Sequence, residues 1–515
     1  MQPALGQHWA VKGARQIENM EIGVISNLDG GFKVPLRYRE MGSVLVISSM
    51  GYRTKKLSIY DMSLYIGNTI RLEPALFELP EAIVKSKKRK KLSAEEIIQY
   101  AIDAIPENYP TDPYAQVGYY RDYQFDNGQY VNLNEAILEV FDQGFRAIDS
   151  ATTKVLLYDY NENTEFKRDT SARKPYDYNM KNGAKIINTG YLDSYGGNEF
   201  TILGVHNAIR NYKINSYSFI HRFDTDLLKE HSFVLEKDTY VDNEVLYTIR
   251  FTKKLLSHSA YGKLFISKSD FSIYKMEYSV YDDSKESSTK LPDKNVSKNQ
   301  LIFEVNTSYR NKEGKMYLSF ISFHNNFTLW SPPKLRLKYV EFKFDKKPVN
   351  QLGAGVYDSL FKKERLVNLT FSDNLDINTA SNLKNYKAQF NGEELKFDSL
   401  KVSGNKVTLY PRAKRAIQVL MLNEMETLSK KNALNEKNVQ FKIKNLKDLN
   451  HNVISEWTSK EYNQFREFFV QQINSFSPVR VSFMKKDRPI FKDQPTVKPN
   501  NFDEYWMNTP LKKSQ

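Results

Sequence analysis

Cysteine is absent from the 515 residues. Without thiols there is no disulfide framework, no cysteine-rich zinc module and no cysteine nucleophile. Long apolar runs are also missing: Val44 to Ile47 is the longest clear one, against the roughly 20 residues of a membrane-spanning helix. Glycine occupies only 22 positions, which argues against collagen-like chain. The opening stretch MQPALGQHWAVKG lacks a basic segment followed by an apolar core, so no secretory signal is visible in the sequence as it stands.

Recognisable catalytic spacings are absent as well. None of His8, His206, His221, His231, His258, His324 and His451 has a glutamate three residues later, and no HExxH occurs. The sequence contains neither a G-x-S-x-G elbow nor a G-x-x-x-x-G-K-[ST] loop. Zinc hydrolysis, serine hydrolysis and P-loop chemistry are therefore not expected, nor is a cofactor or metal. The chain reads as non-enzymatic.

What the chain has in excess is aromatic side chains, 33 Tyr and 31 Phe, together with a net charge of +14. Planar rings pack well on pleated surfaces, so the expected class is mostly β. A mass of 60.1 kDa exceeds what one core usually serves and predicts several domains.

Residues 22–59 read as strand, turn, strand, turn, strand, with Asn27, Asp29, Gly30 and Gly31 as hairpin formers. The spacing Ser93 to Glu96 is a capping box before Ile97, Ile98, Ala101 and Ile102, and predicts a helix over 94–105 that Pro106 ends. Residues 119–350 show short alternating strands, interrupted by one helix predicted at 133–141, and imply a large antiparallel sheet domain. A membrane barrel is disfavoured because segments such as KLRLKYVEFKFDKK (334–347) carry charge at both parities. Between 366 and 455 closely spaced strands, one of them at 417–420, suggest a second β-sandwich. Residues 457–473 read as helical or mixed, and a Pro-rich tail follows as extended or poorly ordered chain.

The segments IGVISNLDGGF, VLVISSMGYRTKKLSI, IRLEP and LPEAIVKSK, in this order, resemble the carboxypeptidase-regulatory-like (transthyretin-like) domain of Bacteroidetes envelope proteins. The family's first strand has no clear counterpart in residues 2–19, and a start assigned too late would account for this and for the absent leader. VNLTFSDNLDINTASNLKNY and IKNLKDLNHNVI resemble the opening and close of bacterial Ig-like domains of the surface-layer type, with His451 where that family usually has Gly. The resemblances imply a transthyretin-like sandwich at 1–84 and an Ig-like sandwich at 356–456, while residue pattern alone gives a basic linker and capped helix at 85–118, the antiparallel sheet domain at 119–350, and a helical segment with Pro-rich tail at 457–515. They also imply the cell envelope, periplasm or outer membrane, as location, and an envelope protein or glycan as partner.

Candidate sites are few. Lys85, Lys87, Lys88, Arg89, Lys90 and Lys91 read as a solvated linker, with an anionic membrane surface as the functional alternative and nucleic acid not expected. His221, Asp224, Asp226 and His231 meet no ligand-spacing rule and read as a polar loop. Asp29 and Asp376 read as turn residues. Tyr212, Tyr217, Phe219 and Phe223 read as core packing in preference to a carbohydrate platform. The expected function is non-catalytic: structural or recognition surfaces on β-sandwich modules. An accessory protein or degenerate hydrolase in peptide or glycan processing, and an outer-membrane-associated component, are the alternatives.

Overall fold

The computed structural model describes residues 14–20, 22–26, 30–50, 52–64, 67–74, 91–126, 128–147, 153–173, 185–186, 198–207, 209–210, 227–228, 231–241, 244–254, 256–286, 299–348, 361–477 and 481–507. The protein is mostly β, with several antiparallel sheets. The chain divides into two units, Met1–Leu329 with Glu461–Gln515, and Trp330–Lys460.

The first unit begins with a four-stranded sheet. Its strands β1 (Ala14–Ile17), β2 (Gly23–Ile25), β3 (Val44–Ser48) and β4 (Lys55–Ser58) lie in the order β2-β1-β3-β4. The region read as lacking a strand thus supplies β1, an inner strand paired with both β2 and β3. The expected second strand of the hairpin is instead a one-turn helix, α1 (Leu36–Glu40), preceded by Pro35. Gly30 does take a left-handed φ of 79°, the conformation glycine tolerates best.

Ser93 caps α2 (Ala94–Asp103) with the reciprocal bonds of a capping box, Glu96 N–H to Ser93 Oγ (3.1 Å) and Ser93 N–H to Glu96 Oε2 (2.8 Å). Pro106 does not simply end the helix: it sits in the first turn of a second, short one, α3 (Ile105–Asn108), where its missing N–H costs nothing.

The dominant element is a large antiparallel sheet. It contains β5 (Tyr114–Asp126), β6 (Gln129–Asp142), β7 (Lys154–Glu162), β8 (Lys185–Ile186), β9 (Ser232–Leu235), β10 (Thr239–Val241), β11 (Glu244–Lys254), β12 (His258–Ser267), β13 (Ile273–Glu286), β14 (Asn299–Lys312) and β15 (Lys315–Ser331). Its strand order is β10-β11-β12-β13-β14-β15-β23-β5-β6-β7, where β23 is Thr458–Ser475. In chain order the whole second unit falls between β15 and β23, which are neighbours in the sheet. Among the described residues β7 and β10 do not pair, so the sheet is open there.

A helix expected at 133–141 and a segment read as helical or mixed at 457–473 are strands of this sheet. Residues 133–141 belong to β6 and residues 458–473 to β23. Both strands are covered on both faces, so buried residues no longer alternate with exposed ones, and the remaining pattern mimics a helix. One face of β5 to β7 packs against the four-stranded sheet: Val117, Tyr119, Ile137, Phe141 and Leu156 share a core with Ile17, Val24, Leu45 and Ile47. The opposite face meets α4 (Glu199–Val205), where the Phe200 ring stands edge-on to Tyr120 (centroids 5.5 Å apart), while α2 packs farther along the sheet against β9 and β12.

The described part of the C-terminal tail, read from sequence as extended or poorly ordered, is irregular chain with several turns and a 3-10 turn at Phe502–Glu504, and it is anchored. Met484 and Val497 donate backbone hydrogen bonds to Val155 and Leu157 of β7 (2.8 and 2.9 Å). Trp506, fully buried, donates from its indole to the Lys33 carbonyl (2.8 Å). The tail thereby occupies part of an otherwise free strand edge.

The second unit has two sheets over one core, a β-sandwich arrangement. One sheet contains β16 (Leu337–Pro348), β17 (Phe361–Phe371), β21 (Lys406–Pro411) and β20 (Phe397–Ser403). The other contains β19 (Glu393–Leu395), β18 (Tyr386–Phe390) and β22 (Val439–Ile443). Strand β18 alternates strictly, with Tyr386, Ala388 and Phe390 inward and Lys387 and Gln389 outward. The unit also contains α5 (Ile377–Ala380) and α6 (Ala416–Lys430). The strand read at 417–420 lies within α6, where Gln418, Met421, Leu422 and Met425 recur at helical intervals and are buried. Residues 334–347, assigned by sequence to the middle domain, belong to this unit through β16. Among the described residues no helix is long and apolar enough to cross a membrane.

Candidate functional site on the central sheet

Strands β23, β5 and β6 run side by side, so residues in register form rows across the sheet. Arg121 pairs with Glu467 on one side and Glu135 on the other. Its Nε donates to Glu467 Oε2 (2.5 Å) and its Nη2 to the Ser26 carbonyl (2.8 Å). Tyr123 donates to Glu467 Oε1 (3.0 Å), and Tyr119 to Glu135. All five side chains are buried. Burial pushes the Tyr119 and Tyr123 hydroxyls well above their ordinary range, and the neighbouring carboxylates add to it, so both stay protonated donors. The row carries the charge pairing that joins the two sheets through Ser26.

The neighbouring residues point to the opposite face. Asp122 accepts from Asn134 (2.7 Å) and from Tyr120 (3.1 Å), while Arg466 binds Glu199 at the start of α4 and donates to Asn325 (2.6 Å). Desolvation, reinforced by the charge of Glu199, pushes the Asp122 carboxyl up to about 6. Asp122 and Glu199 line a cavity of about 20 Å³, which is room for about one water. Two carboxylates therefore converge, but without space for a substrate.

A larger cavity of about 90 Å³ lies between the same sheet face and α4. Phe200, Leu203 and Gly204 of α4 form one wall, and Val140, Val155, Ile321 and Phe468 of the sheet form the other. Gly118 allows this approach of strands and rings, since a Cβ there would stand 2.6 Å from the Phe468 ring and the Phe469 carbonyl. One end is closed by a bidentate pair, Arg210 Nη2 to Asp142 Oδ1 (2.7 Å) and Nε to Oδ2 (3.2 Å). Arg210 also donates to the Ala147 carbonyl (2.7 Å), and Gly144, at φ 85°, makes the turn. Two polar atoms of residues lining this apolar space, Gln116 Oε1 and Thr153 Oγ1, have no hydrogen-bond partner among the described residues. A buried polar atom gains about 1–3 kcal/mol from a partner, so the amide oxygen of Gln116 and the hydroxyl of Thr153, which can donate or accept, are the polar handles of an otherwise apolar cavity.

Of the residues proposed from sequence, Lys85, Lys87, Lys88, Arg89 and Lys90 lie outside the described residues; Lys91 is exposed just ahead of α2. His221, Asp224 and Asp226, the stripe Tyr212, Tyr217, Phe219 and Phe223, and Asp29 also lie outside them. His231 is buried with Nδ1 hydrogen-bonded to the Leu227 carbonyl (3.0 Å) and its ring against Phe251. Asp376 caps α5 through Asn378 N–H (3.1 Å). His451 has φ 63°, the conformation that makes glycine usual in the resembling motif. Among the described residues no three acidic or histidine side chains are placed to hold a metal ion.

Gln116, Asp142, Phe200, Leu203 and Arg210 were not singled out from sequence. The available signals were slight: an amide between Ala115 and Val117 in an apolar strand, and the Asp-x-Gly turn at 142–144.

No family model matches the chain, and no curated protein matches it. Among solved structures, a LolA superfamily protein from Nitrosomonas europaea matches with 13% identity and a TM-score of 0.18, over 46% of this chain and 86% of that one. MucB in complex with MucA(peri) matches with 10% identity and a TM-score of 0.16, over 64% and 97%. At these TM-scores neither likeness carries an argument about fold or function.

Proposed function

We propose that this chain is a non-catalytic recognition protein of the bacterial envelope that holds an apolar group beneath α4. The observation that carries the reading is the 90 Å³ cavity with two polar atoms unpartnered among the described residues, the acceptor Gln116 Oε1 and the hydroxyl Thr153 Oγ1. An apolar body with one hydroxyl or amide N–H would fill the space and supply the missing donor. The non-catalytic part is supported by the neighbouring carboxylates, which share room for about one water and are engaged by Asn134, Tyr120 and Arg466. The envelope assignment rests on the resemblances at 22–84 and 366–455.

Gly204 provides the test, because a Cβ at this position meets nothing within 4 Å and points to open space. Saturable binding of n-hexanol to the full chain, followed by calorimetry, is expected to disappear in Gly204→Leu, which fills the cavity. Gln116→Leu is expected to weaken hexanol while leaving n-hexane binding in place. Hexanol binding that is absent in the native chain, or unchanged in Gly204→Leu, rejects the reading.

A further inference from the structure

The outer face of the three-stranded sheet in the second unit carries an unbalanced row of cations. Lys387 on β18 lies directly opposite Lys442 on β22, and the next outward pair is Gln389 with Gln440. Lys384, just before β18, and Lys444, just after β22, extend the row, and the Lys444 N–H bond to the Asn385 carbonyl (3.1 Å) holds the two ends together. All four lysines are exposed, and none has an ion-pair partner among the described residues. Elsewhere in this unit some exposed cations are paired, Arg412 with Asp398 (2.7 Å), Lys430 with Glu426 (2.9 Å) and Lys343 with Glu341 (3.7 Å), while others, such as Lys401 and Lys406, stand singly among the described residues; what distinguishes this face is that its cations lie side by side. The one carboxylate on the lysine face, Glu394, stands 3.4 Å from Lys396.

Like charges placed directly opposite on neighbouring strands are unfavourable, so packing does not account for Lys387 against Lys442. The face forms a groove of about 810 Å³. We infer that this groove binds an anionic polysaccharide, one bearing carboxylate or sulfate groups. Four lysines supply the counter-charge at the spacing of a sheet. The paired amides of Gln389 and Gln440 offer donors and acceptors to sugar hydroxyls between the charged groups. A membrane surface fits less well, because no large apolar side chain projects from this face to enter the bilayer. Single-stranded nucleic acid fits less well too: the aromatic ring lining the groove, Phe441, packs against the core and offers no stacking platform. The surface belongs to the second unit and does not depend on the cavity of the first.

The experiment uses the full chain and polygalacturonate as probe, with neutral dextran beside it. Polygalacturonate is expected to bind and dextran not to bind. A variant carrying Lys384→Ser, Lys387→Ser, Lys442→Ser and Lys444→Ser should bind about tenfold or more weakly, and Lys→Arg at the same four positions should retain binding. A control with the same change of charge, Lys338→Ser, Lys401→Ser, Lys406→Ser and Lys437→Ser, should stay within about twofold. Absence of binding in the native chain, or equal loss in the control, overturns the inference. So does tighter binding to phosphatidylglycerol vesicles or to a single-stranded DNA oligonucleotide than to polygalacturonate. Circular dichroism and melting temperature, expected unchanged or raised, separate loss of the site from loss of the fold.

Discussion

The two units bury different things. In the second, strands alternate as β18 does, apolar residues fill the core between two sheets, and lysines and glutamates stay in water. In the first, the central strands β5, β6 and β23 bury charge on both faces: Arg121 with Glu467 on one, Arg466 with Glu199 and Asp142 with Arg210 on the other. A sheet covered on both sides cannot place every charged residue in water, so its charges must find each other. The lesson is that the first unit depends on matched pairs whose members lie from 68 to 346 residues apart, whereas the second depends on area and alternation.

The strongest way to test that contrast is to orphan a charge in each unit. Glu467→Ala leaves Arg121 buried without its carboxylate, and about 3–5 kcal/mol should be lost in urea unfolding of the full chain. Glu394→Ala, which removes the exposed partner of Lys396, should change stability by less than about 0.5 kcal/mol.

Asp122 sharpens the same point through pH. Its carboxyl sits at about 6 when folded against an ordinary value of 3.8, so between those values the folded state holds a proton that the unfolded state has lost. Stability therefore falls as pH rises from about 4 to 6, and the cost persists above 6. Asp122→Asn removes it and should gain up to about 3 kcal/mol over the native chain at pH 8, shrinking towards zero near pH 4. Parallel denaturation curves across that range check the sign.

In the second unit the corresponding weak point is a turn. Asp448 is fully buried and accepts from Asn450 N–H (2.9 Å), Asn452 N–H (2.8 Å) and Asn452 Nδ2 (2.8 Å). Asp448→Ala orphans those donors and should cost about 1–3 kcal/mol in thermal or urea unfolding. The smallest expected effect has the opposite sign. Lys387→Gln relieves the repulsion with Lys442 and should raise stability by about 0.2–1 kcal/mol at low salt, with the gain fading at 1 M salt.

Legibility in the sequence follows the same division. The closely spaced strands between 366 and 455 were readable because β18, β21 and β22 each have one wet face. The capped helix at 94 was readable because Ser93 and Glu96 are neighbours in the chain. Residues 133–141 and 457–473 were misread because Glu135, Arg466, Glu467 and Gln471 are buried among apolar residues, and hydropathy alone cannot distinguish a paired buried charge from an exposed one. The cavity was illegible for a related reason: Gln116, Phe200 and Arg210 meet only after the sheet has closed over α4.

By itself the amino-acid sequence determined the β class, the absence of thiol chemistry and the helix cap at Ser93, all of which rest on composition or on residues a few positions apart. Only the tertiary structure decided that β23 enters the centre of the large sheet from beyond the second unit. It also decided that Trp506 of the tail is buried and that an apolar cavity presents two polar atoms without a hydrogen-bond partner among the described residues. Those outcomes depend on pairings across distances at which local patterning has no force. The energy that selects them, burial of matched charges and of apolar area, exists only once the strands are side by side.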